Sequence, residues 1–236
     1  MVLENCRRDP ACHAAPSRES RGALPQVAIT FARPEESRAF RKRLRLSHAG
    51  GRVGGIETAI FHTGIGALAA DRALARILRL GPWWMLISAG FAGGLDPKLK
   101  LGDTVAAEFP APGTRRLISR PHPVETPAEK AALHRETGAQ AVDMESEAIA
   151  AACGAAGIPM LAVRAISDPA DTALPVPFAV WFDIARQRPR PAALAAHLLA
   201  HPGKILPFAK FLRAISRTGT ALAFALDGAI RGLENH

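Results

Sequence analysis

The run Val142-Asp143-Met144-Glu145-Ser146-Glu147-Ala148-Ile149-Ala150, followed by Ile158-Pro159-Met160-Leu161-Ala162-Val163-Arg164-Ala165-Ile166-Ser167-Asp168, decides how this chain is read. Its first half predicts entry into a helix, because acids gathered at a helix start face the positive end of the dipole. Gly154 and Gly157 break that helix. Met160 to Val163 has the short apolar form of a buried strand, and it gives way to polar Arg164, Ser167 and Asp168. Open α/β sheets hold ligands beyond the carboxyl ends of their strands. The unit therefore offers two carboxylates and one guanidinium at one sheet edge. On residue type alone, helix stability and a surface ion pair explain the same residues as well. The surrounding pattern has to decide.

Outward from that unit the same alternation repeats. Gln26 to Phe31 reads as a strand, and Pro34-Glu35-Glu36 opens a helix with proline placed where a missing N–H does no harm. Glu35 and Glu36 sit just past the strand's carboxyl end, as ordinary first-turn acids or as a proton donor for a leaving nitrogen base. Arg41, Lys42, Arg43 and Arg45 form a basic, solvated helix face. Glu57 to Phe61 is a second strand, running through His62-Thr63-Gly64-Ile65-Gly66 into a helix over 67–80. Such a corner can turn backbone N–H groups toward an anion, although two glycines also mark any tight strand-to-helix corner. Trp83 to Ser88 is a third strand, and Ala89-Gly90-Phe91-Ala92-Gly93-Gly94-Leu95 lets a ligand approach the backbone closely. Gly102 to Ala106 reads as another strand. Strands alternating with helices predict an α/β sheet covered on both faces, a single three-layer αβα domain.

Composition sets the outer limits. A chain of 236 residues suffices for one such domain with a sizeable core, and 48% hydrophobic residues is ordinary for a globular protein. A formal charge of +9 points toward nucleic acid, anionic lipid or phosphorylated substrates. With aromatics at 6% and no Tyr, a stacking platform for single-stranded nucleic acid is poorly supported, and no recognition motif accompanies the basic residues. Cys6, Cys12 and Cys153 have no paired metal spacing and fit a reducing compartment. Residues 1–25 read as a disordered extension without the apolar core of a signal peptide. No run of about 18 apolar residues predicts a spanning helix.

Taken in order, Thr63-Gly64-Ile65-Gly66, Gly90-Phe91-Ala92-Gly93-Gly94-Leu95-Asp96-Pro97, Leu101-Gly102-Asp103, Val142-Asp143-Met144-Glu145-Ser146 and Arg164-Ala165-Ile166-Ser167-Asp168 resemble the nucleoside phosphorylase and methylthioadenosine/adenosylhomocysteine nucleosidase superfamily. The resemblance runs from about Val27 to Asp171. Within the superfamily the chain most resembles the hopanoid-associated phosphorylases, which act on adenosylhopane. Glu129-Lys130-Ala131-Ala132-Leu133-His134, Thr137-Gly138 and His201-Pro202-Gly203-Lys204-Ile205-Leu206-Pro207 carry that finer likeness.

The resemblance implies a nucleoside phosphorylase-like fold around a mixed, mostly parallel sheet over 26–185, with a helical C-terminal segment over 186–236. It implies cleavage of the bond between ribose and a purine through a transition state with oxocarbenium character. Asp168 would hydrogen-bond purine N7 and help protonate it, a role that asks for a shielded, partly protonated carboxyl. Glu145 would bind ribose hydroxyls, with Met144 against the sugar. Glu36, or less surely Glu35, matches the acid that holds the attacking water in hydrolytic members. The chain near Pro123-Val124 would pair with the adenine edge. Arg164 would meet phosphate, helped by Thr63 and Gly64, or orient Glu145. Gly90, Phe91, Ala92, Asp143 and Ser167 complete the expected substrate-binding set. Phe91 stands where nucleosidases share a small hydroxyl residue, which tilts the expectation toward phosphorolysis, with inorganic phosphate as co-substrate and no metal or organic cofactor. A nucleosidase, or a nucleoside-binding homologue without turnover, is the alternative.

The stretch between Val105 and Leu117 is shorter than in the family, where further strand and helix shape one pocket wall and part of the subunit contact; family members commonly pair as homodimers. In the tail, 192–200 and 205–233 predict helices, and Asp171 is placed to cap the following segment or assist Asp168. Leu206, Phe208, Phe211, Leu212 and Ile215 form an apolar stripe among Lys204, Lys210, Arg213 and Arg217. It reads as a helix packed on the domain, with contact to anionic lipid as the alternative.

Overall fold

A computed structural model describes residues 26–109 and 116–234. The expected extension over 1–25, with Cys6 and Cys12, and the loop around Pro110, Pro112 and Gly113 lie outside the described residues.

The chain opens with strand β1 (Gln26–Phe31), helix α1 (Pro34–Leu44), β2 (Gly50–Val53), β3 (Ile56–His62) and α2 (Ala67–Ile77). The long β4 (Met85–Gly94) follows, then β5 (Thr104–Phe109), β6 (Leu117–Ser119), α3 (Pro127–Thr137), β7 (Ala141–Asp143), α4 (Ser146–Ala155) and β8 (Met160–Asp168). The remainder is α5 (Phe178–Trp181), β9 (Phe182–Asp183), β10 (Arg188–Pro189), α6 (Pro191–Ala200), a short turn at Pro202–Lys204, and α7 (Ile205–Leu233).

Eight strands form one mixed sheet, with β2-β3-β1-β4-β7-β6 in sequence and β8 on the other edge of β4, followed by β5. The pairs β1–β3, β1–β4, β4–β8 and β6–β7 are parallel, whereas β2–β3, β4–β7 and β5–β8 are antiparallel. Strands buried on both faces lose the apolar–polar alternation of a one-sided sheet, but their side chains still alternate between two cores. Val27, Ile29, Phe31, Ile87, Ala89, Val163 and Ala165 face α1 and α7, through Phe40, Leu222, Leu226 and Ile230. Ala28, Leu86, Ala92, Ala162 and Ile166 face α2 and α4, through Leu74, Ile77, Ile149 and Cys153. Each fully buried Ile or Leu stabilises the fold by about 1.5–3 kcal/mol, so this αβα layering is anchored along the whole length of β4 and β8. The C-terminal half of α7 supplies the outer layer beside α1 through Leu222, Leu226 and Ile230, whereas of the expected stripe over 206–215 only Phe208 is buried and Leu206 and Leu212 face solvent.

Several boundaries differ from the sequence reading: α2 stops at Ile77, β4 runs from Met85 through the glycines to Gly94, and β5 spans Thr104–Phe109. The acids of the Val142–Ala150 run are divided, because Asp143 ends β7 while Glu145 is the residue before α4 begins. Strand β8 also continues through Arg164 to Asp168 instead of stopping at Val163. Its polar residues are accommodated because Arg164 meets Asp143 of β7, Ser88 of β4 and Ser146 of α4, and Asp168 meets Lys130 of α3.

Candidate active site

The site lies where β1, β4 and β8 end. A cavity of about 450 Å³ opens there, within the range of small-molecule sites. Glu36, Thr63, Gly90, Phe91, Ala92, Val124, Asp143, Met144, Glu145, Arg164, Ser167 and Asp168 all line it. The glycine run of β4 acts as a ruler along its floor. A methyl group on Gly90 would come 3.2 Å from Glu36 Oε2, and one on Gly93 would come 3.2 Å from Asp168 Oδ2. Three strand steps separate these glycines, about 10 Å at 3.3 Å per residue. One carboxyl thus stands at each end of the cavity floor.

Glu36 reaches that position because the Arg33–Pro34 corner starts α1 at the end of β1. The Ala32 N–H donates to its Oε2 at 3.2 Å. Burial, with Glu145 facing it, pushes the Glu36 carboxyl up to about 8, despite the opposing charge of Arg164. Glu145 accepts a hydrogen bond from the Gly66 N–H at 2.6 Å. Burial and the adjacent Asp143 raise it to about 7. Glu35, the less favoured alternative, points outward to Arg33 at 2.9 Å, and that pairing holds it below the usual carboxylate range.

Asp168 ends β8 opposite a register shift between Ala92 and Gly93. The Ser167 hydroxyl donates to its Oδ1 at 2.6 Å. Lys130 Nζ, wholly buried, donates to Oδ2 at 2.6 Å and to the carbonyls of Asp168, Pro169 and Thr172 at 3.1, 2.9 and 2.8 Å. Burial raises the Asp168 carboxyl above its ordinary value, and Lys130 offsets part of that rise. The lysine is delivered by α3, whose start is fixed by a capping box between Thr126 and Glu129. Nothing in its local pattern separates Lys130 from a surface lysine, so the sequence reading assigned it no role. The capping box one residue earlier was the usable signal.

Four expected substrate contacts, Arg164, Asp143, Gly64 and Thr63, are taken up by the protein itself. Arg164 spends its guanidinium on Asp143 Oδ2 at 2.7 Å, the Ser88 carbonyl and hydroxyl at 2.6 and 2.9 Å, the Val163 carbonyl at 3.2 Å and the Ser146 hydroxyl at 2.8 Å. With its five N–H donors engaged, Arg164 does not reach out to an anion. Asp143 in turn receives Arg164, the Ser119 and Ser146 hydroxyls and the N–H groups of Glu145 and Ser146. It positions the start of α4, and hence Glu145, without a free oxygen for ligand. Gly64 does not line the cavity: with φ at +86°, it packs on Gln187 and Ala69. Its N–H donates to the Ala32 carbonyl, the Ile65 N–H to Gln187 Oε1 and the Gly66 N–H to Glu145. The glycine corner is therefore already closed by protein acceptors. The Thr63 hydroxyl bonds the Phe31 and Gly64 carbonyls. Gln187 comes from the far C-terminal segment, a partner no local motif announces. Asp171 is exposed and bonds Thr172, not Asp168.

Beyond Glu36 the cavity wall turns apolar, through Phe178, Trp181, Phe211, Leu212 and Ile215. These come from α5 and the start of α7. Trp181 Nε1 and Thr30 Oγ1 are buried there without an intramolecular partner.

With this geometry in place, the likenesses are consistent with it. The Phosphorylase superfamily profile matches residues 116–200. A 5'-methylthioadenosine/S-adenosylhomocysteine nucleosidase of Glaesserella parasuis is 27% identical, the match covering 61% of this chain and 82% of the relative. Both matches are of the phosphorylase and nucleosidase kind. The fold is of this type: a solved 5'-methylthioadenosine/S-adenosylhomocysteine nucleosidase of Helicobacter pylori superposes with a TM-score of 0.62 at 16% identity, covering 89% of this chain and 100% of that one. The futalosine hydrolase of the same organism superposes with a TM-score of 0.61 at 16% identity, covering 89% and 98%.

Proposed function

We propose that this chain cleaves the N-glycosidic bond of an adenine nucleoside, with water as the nucleophile. The observation that carries the reading is one cavity holding Asp168 at one end of the β4 glycine run and the Glu36–Glu145 pair at the other. A purine laid over Gly93 brings N7 toward Asp168, and its ribose hydroxyls toward Glu145. As the C1'–N9 bond breaks, its electron pair passes into the purine, and the Asp168 carboxyl gives a proton to N7, so that neutral adenine leaves. The oxocarbenium-like sugar is stabilised by the carboxylates that face it. Water attacks C1' and passes its proton to Glu36, which accepts it in the ionised form that fills as pH rises through about 8.

Water is favoured over phosphate because the groups that would hold a phosphate are engaged elsewhere. The donors of Arg164 and the amides of Gly64, Ile65 and Gly66 are spent on protein acceptors. Two carboxyls beside them would repel a dianion once ionised. Phosphorolysis, the expectation drawn from the finer resemblance, would require those bonds to be exchanged for phosphate contacts. The apolar wall at Phe178, Trp181, Phe211, Leu212 and Ile215 supports the other half of that resemblance, a nucleoside whose 5' carbon bears a large apolar group of the adenosylhopane kind.

The test is adenine release from 5'-methylthioadenosine and from 5'-alkyl adenosines, in ¹⁸O-labelled water, with and without inorganic phosphate. Hydrolysis puts the label on the sugar's C1 hydroxyl and is indifferent to phosphate. Phosphate-dependent release with a sugar 1-phosphate product would replace water by phosphate in this account, and no release would remove it.

A further inference from the structure

We infer that the α6–α7 corner is a docking surface for an anionic lipid bilayer. Between Asp183 and Asp227 the chain has no acidic residue but carries Arg186, Arg188, Arg190, Lys204, Lys210, Arg213 and Arg217, all exposed. Only Arg186 pairs with a carboxylate among the described residues, through Asp183 at 3.1 Å. On the same elements large apolar side chains face solvent: Leu199 is 81% exposed, Leu206 61% and Ile205 50%. Helix α6 buries no residue at all. The three side chains gather round the Pro202–Lys204 turn, and Leu212 extends the stripe from Ile205 by two helical turns.

Apolar side chains set among cations fit an interface in which hydrocarbon lies beneath a layer of negative headgroups. A second copy of the chain fits poorly, because a two-fold contact through this patch would set the cations of one copy against those of the other. Nucleic acid would satisfy the cations but leave the leucines in water. No helix among the described residues is long and apolar enough to cross a membrane, so the corner would lie on the surface. Phe211, Leu212 and Ile215 also wall the cavity, which places its apolar end next to the docking face. A substrate with an apolar tail could enter from the bilayer, but the docking stands whatever the substrate.

Flotation of the full chain with vesicles tests the inference. The vesicles are phosphatidylcholine alone or phosphatidylcholine with about a quarter phosphatidylglycerol, at about 50 mM and about 500 mM salt. Binding is expected to the anionic vesicles at low salt, and little to neutral ones. Lys210→Glu with Arg213→Glu should lower the partition by at least roughly fivefold per site, the equivalent of about 1 kcal/mol for each cation near an anionic surface. Leu199→Asp with Leu206→Asp should abolish binding. The inference is overturned if the wild type does not float with anionic vesicles, or if both double variants float as it does. It is equally overturned if the wild type is a dimer that Leu206→Asp dissociates, or if an oligonucleotide of equal charge outcompetes the vesicles. Adenine release from soluble 5'-methylthioadenosine by the same variants reads the cavity separately. Loss of flotation with release intact is a result about docking alone, and absence of release from the wild type is a result about the proposed reaction alone.

Discussion

Replacing Glu36 by Gln tests the electrostatics of the cavity without invoking any substrate. The Glu36 carboxyl is raised from an ordinary 4.5 to about 8 because burial and Glu145 disfavour its charge. The folded state therefore holds this proton more tightly than the unfolded chain does. The resulting stability is complete below pH 4.5 and is lost as pH rises through about 8. At 1.36 kcal/mol per pH unit, a rise of that size corresponds to on the order of 4–5 kcal/mol. Gln has the same shape, can still accept from the Ala32 N–H and never ionises. Urea unfolding at about pH 5 and about pH 8.5 should show the wild type losing at least about 2 kcal/mol across that interval, after water entering the cavity has screened part of the effect. Glu36→Gln should lose much less. Glu145, raised to about 7 by burial and Asp143, titrates in both proteins and leaves the variant a smaller residual loss. Equal slopes in the two proteins would refute the placement of Glu36 as a buried, proton-holding acid. The variant should also release adenine about 10²–10⁴ times more slowly while still binding a nucleoside analogue, as expected for loss of a general base.

Three further outcomes follow from the same geometry. Lys130→Gln keeps a donor for the Pro169 and Thr172 carbonyls but removes the cation beside Asp168, so the Asp168 carboxyl should rise further. The alkaline limb of kcat/KM should then move to higher pH, and an unmoved limb would deny Lys130 its place beside the acid. Gly90→Ala sets a methyl group 3.2 Å from Glu36 Oε2, closer than ordinary contact. It should lower kcat by roughly tenfold, about 1.4 kcal/mol of misplacement, with little change in KM or in melting temperature. Arg164→Lys cannot reproduce the five-donor fork that holds Asp143, Ser88 and Ser146, and breaking this buried set should cost about 3–5 kcal/mol by urea unfolding.

The fold was largely legible because its strands are short apolar runs ending at glycine or charge. Val27 to Phe31, Glu57 to Phe61 and Met160 to Val163 each announce a buried strand, and Gly64, Gly66 and Gly90 to Gly94 announce the turns and the floor beyond. What local pattern could not show was how far β8 extends. Arg164 looked like the end of a strand, because a guanidinium in a strand interior is normally too costly to bury. Here it is solvated from within by Asp143, Ser88 and Ser146, which arrive from three other elements.

The site was legible to the extent that its residues lie in motifs at strand ends. All but Gly64 and Asp171 of the residues singled out for it share the cavity. Their duties were harder to read, because they depend on which hydrogen-bond groups are already spent. Arg164 and Thr63–Gly64 have the right types for an anion cradle, yet their donors are satisfied by groups remote in sequence, including Gln187 after the β9 strand. Lys130 was missed for the opposite reason. It looks like any helix lysine until folding carries it under Asp168.

The most direct test compares adenine release from 5'-methylthioadenosine by the wild type and by Asp168→Asn, with analogue binding measured on both. The account predicts that the wild type releases adenine and that Asp168→Asn, still folded and still binding the analogue, is slower by about 10³-fold, the scale of losing a positioned acid. Release by Asp168→Asn within about threefold of the wild type, far below that scale, would contradict it.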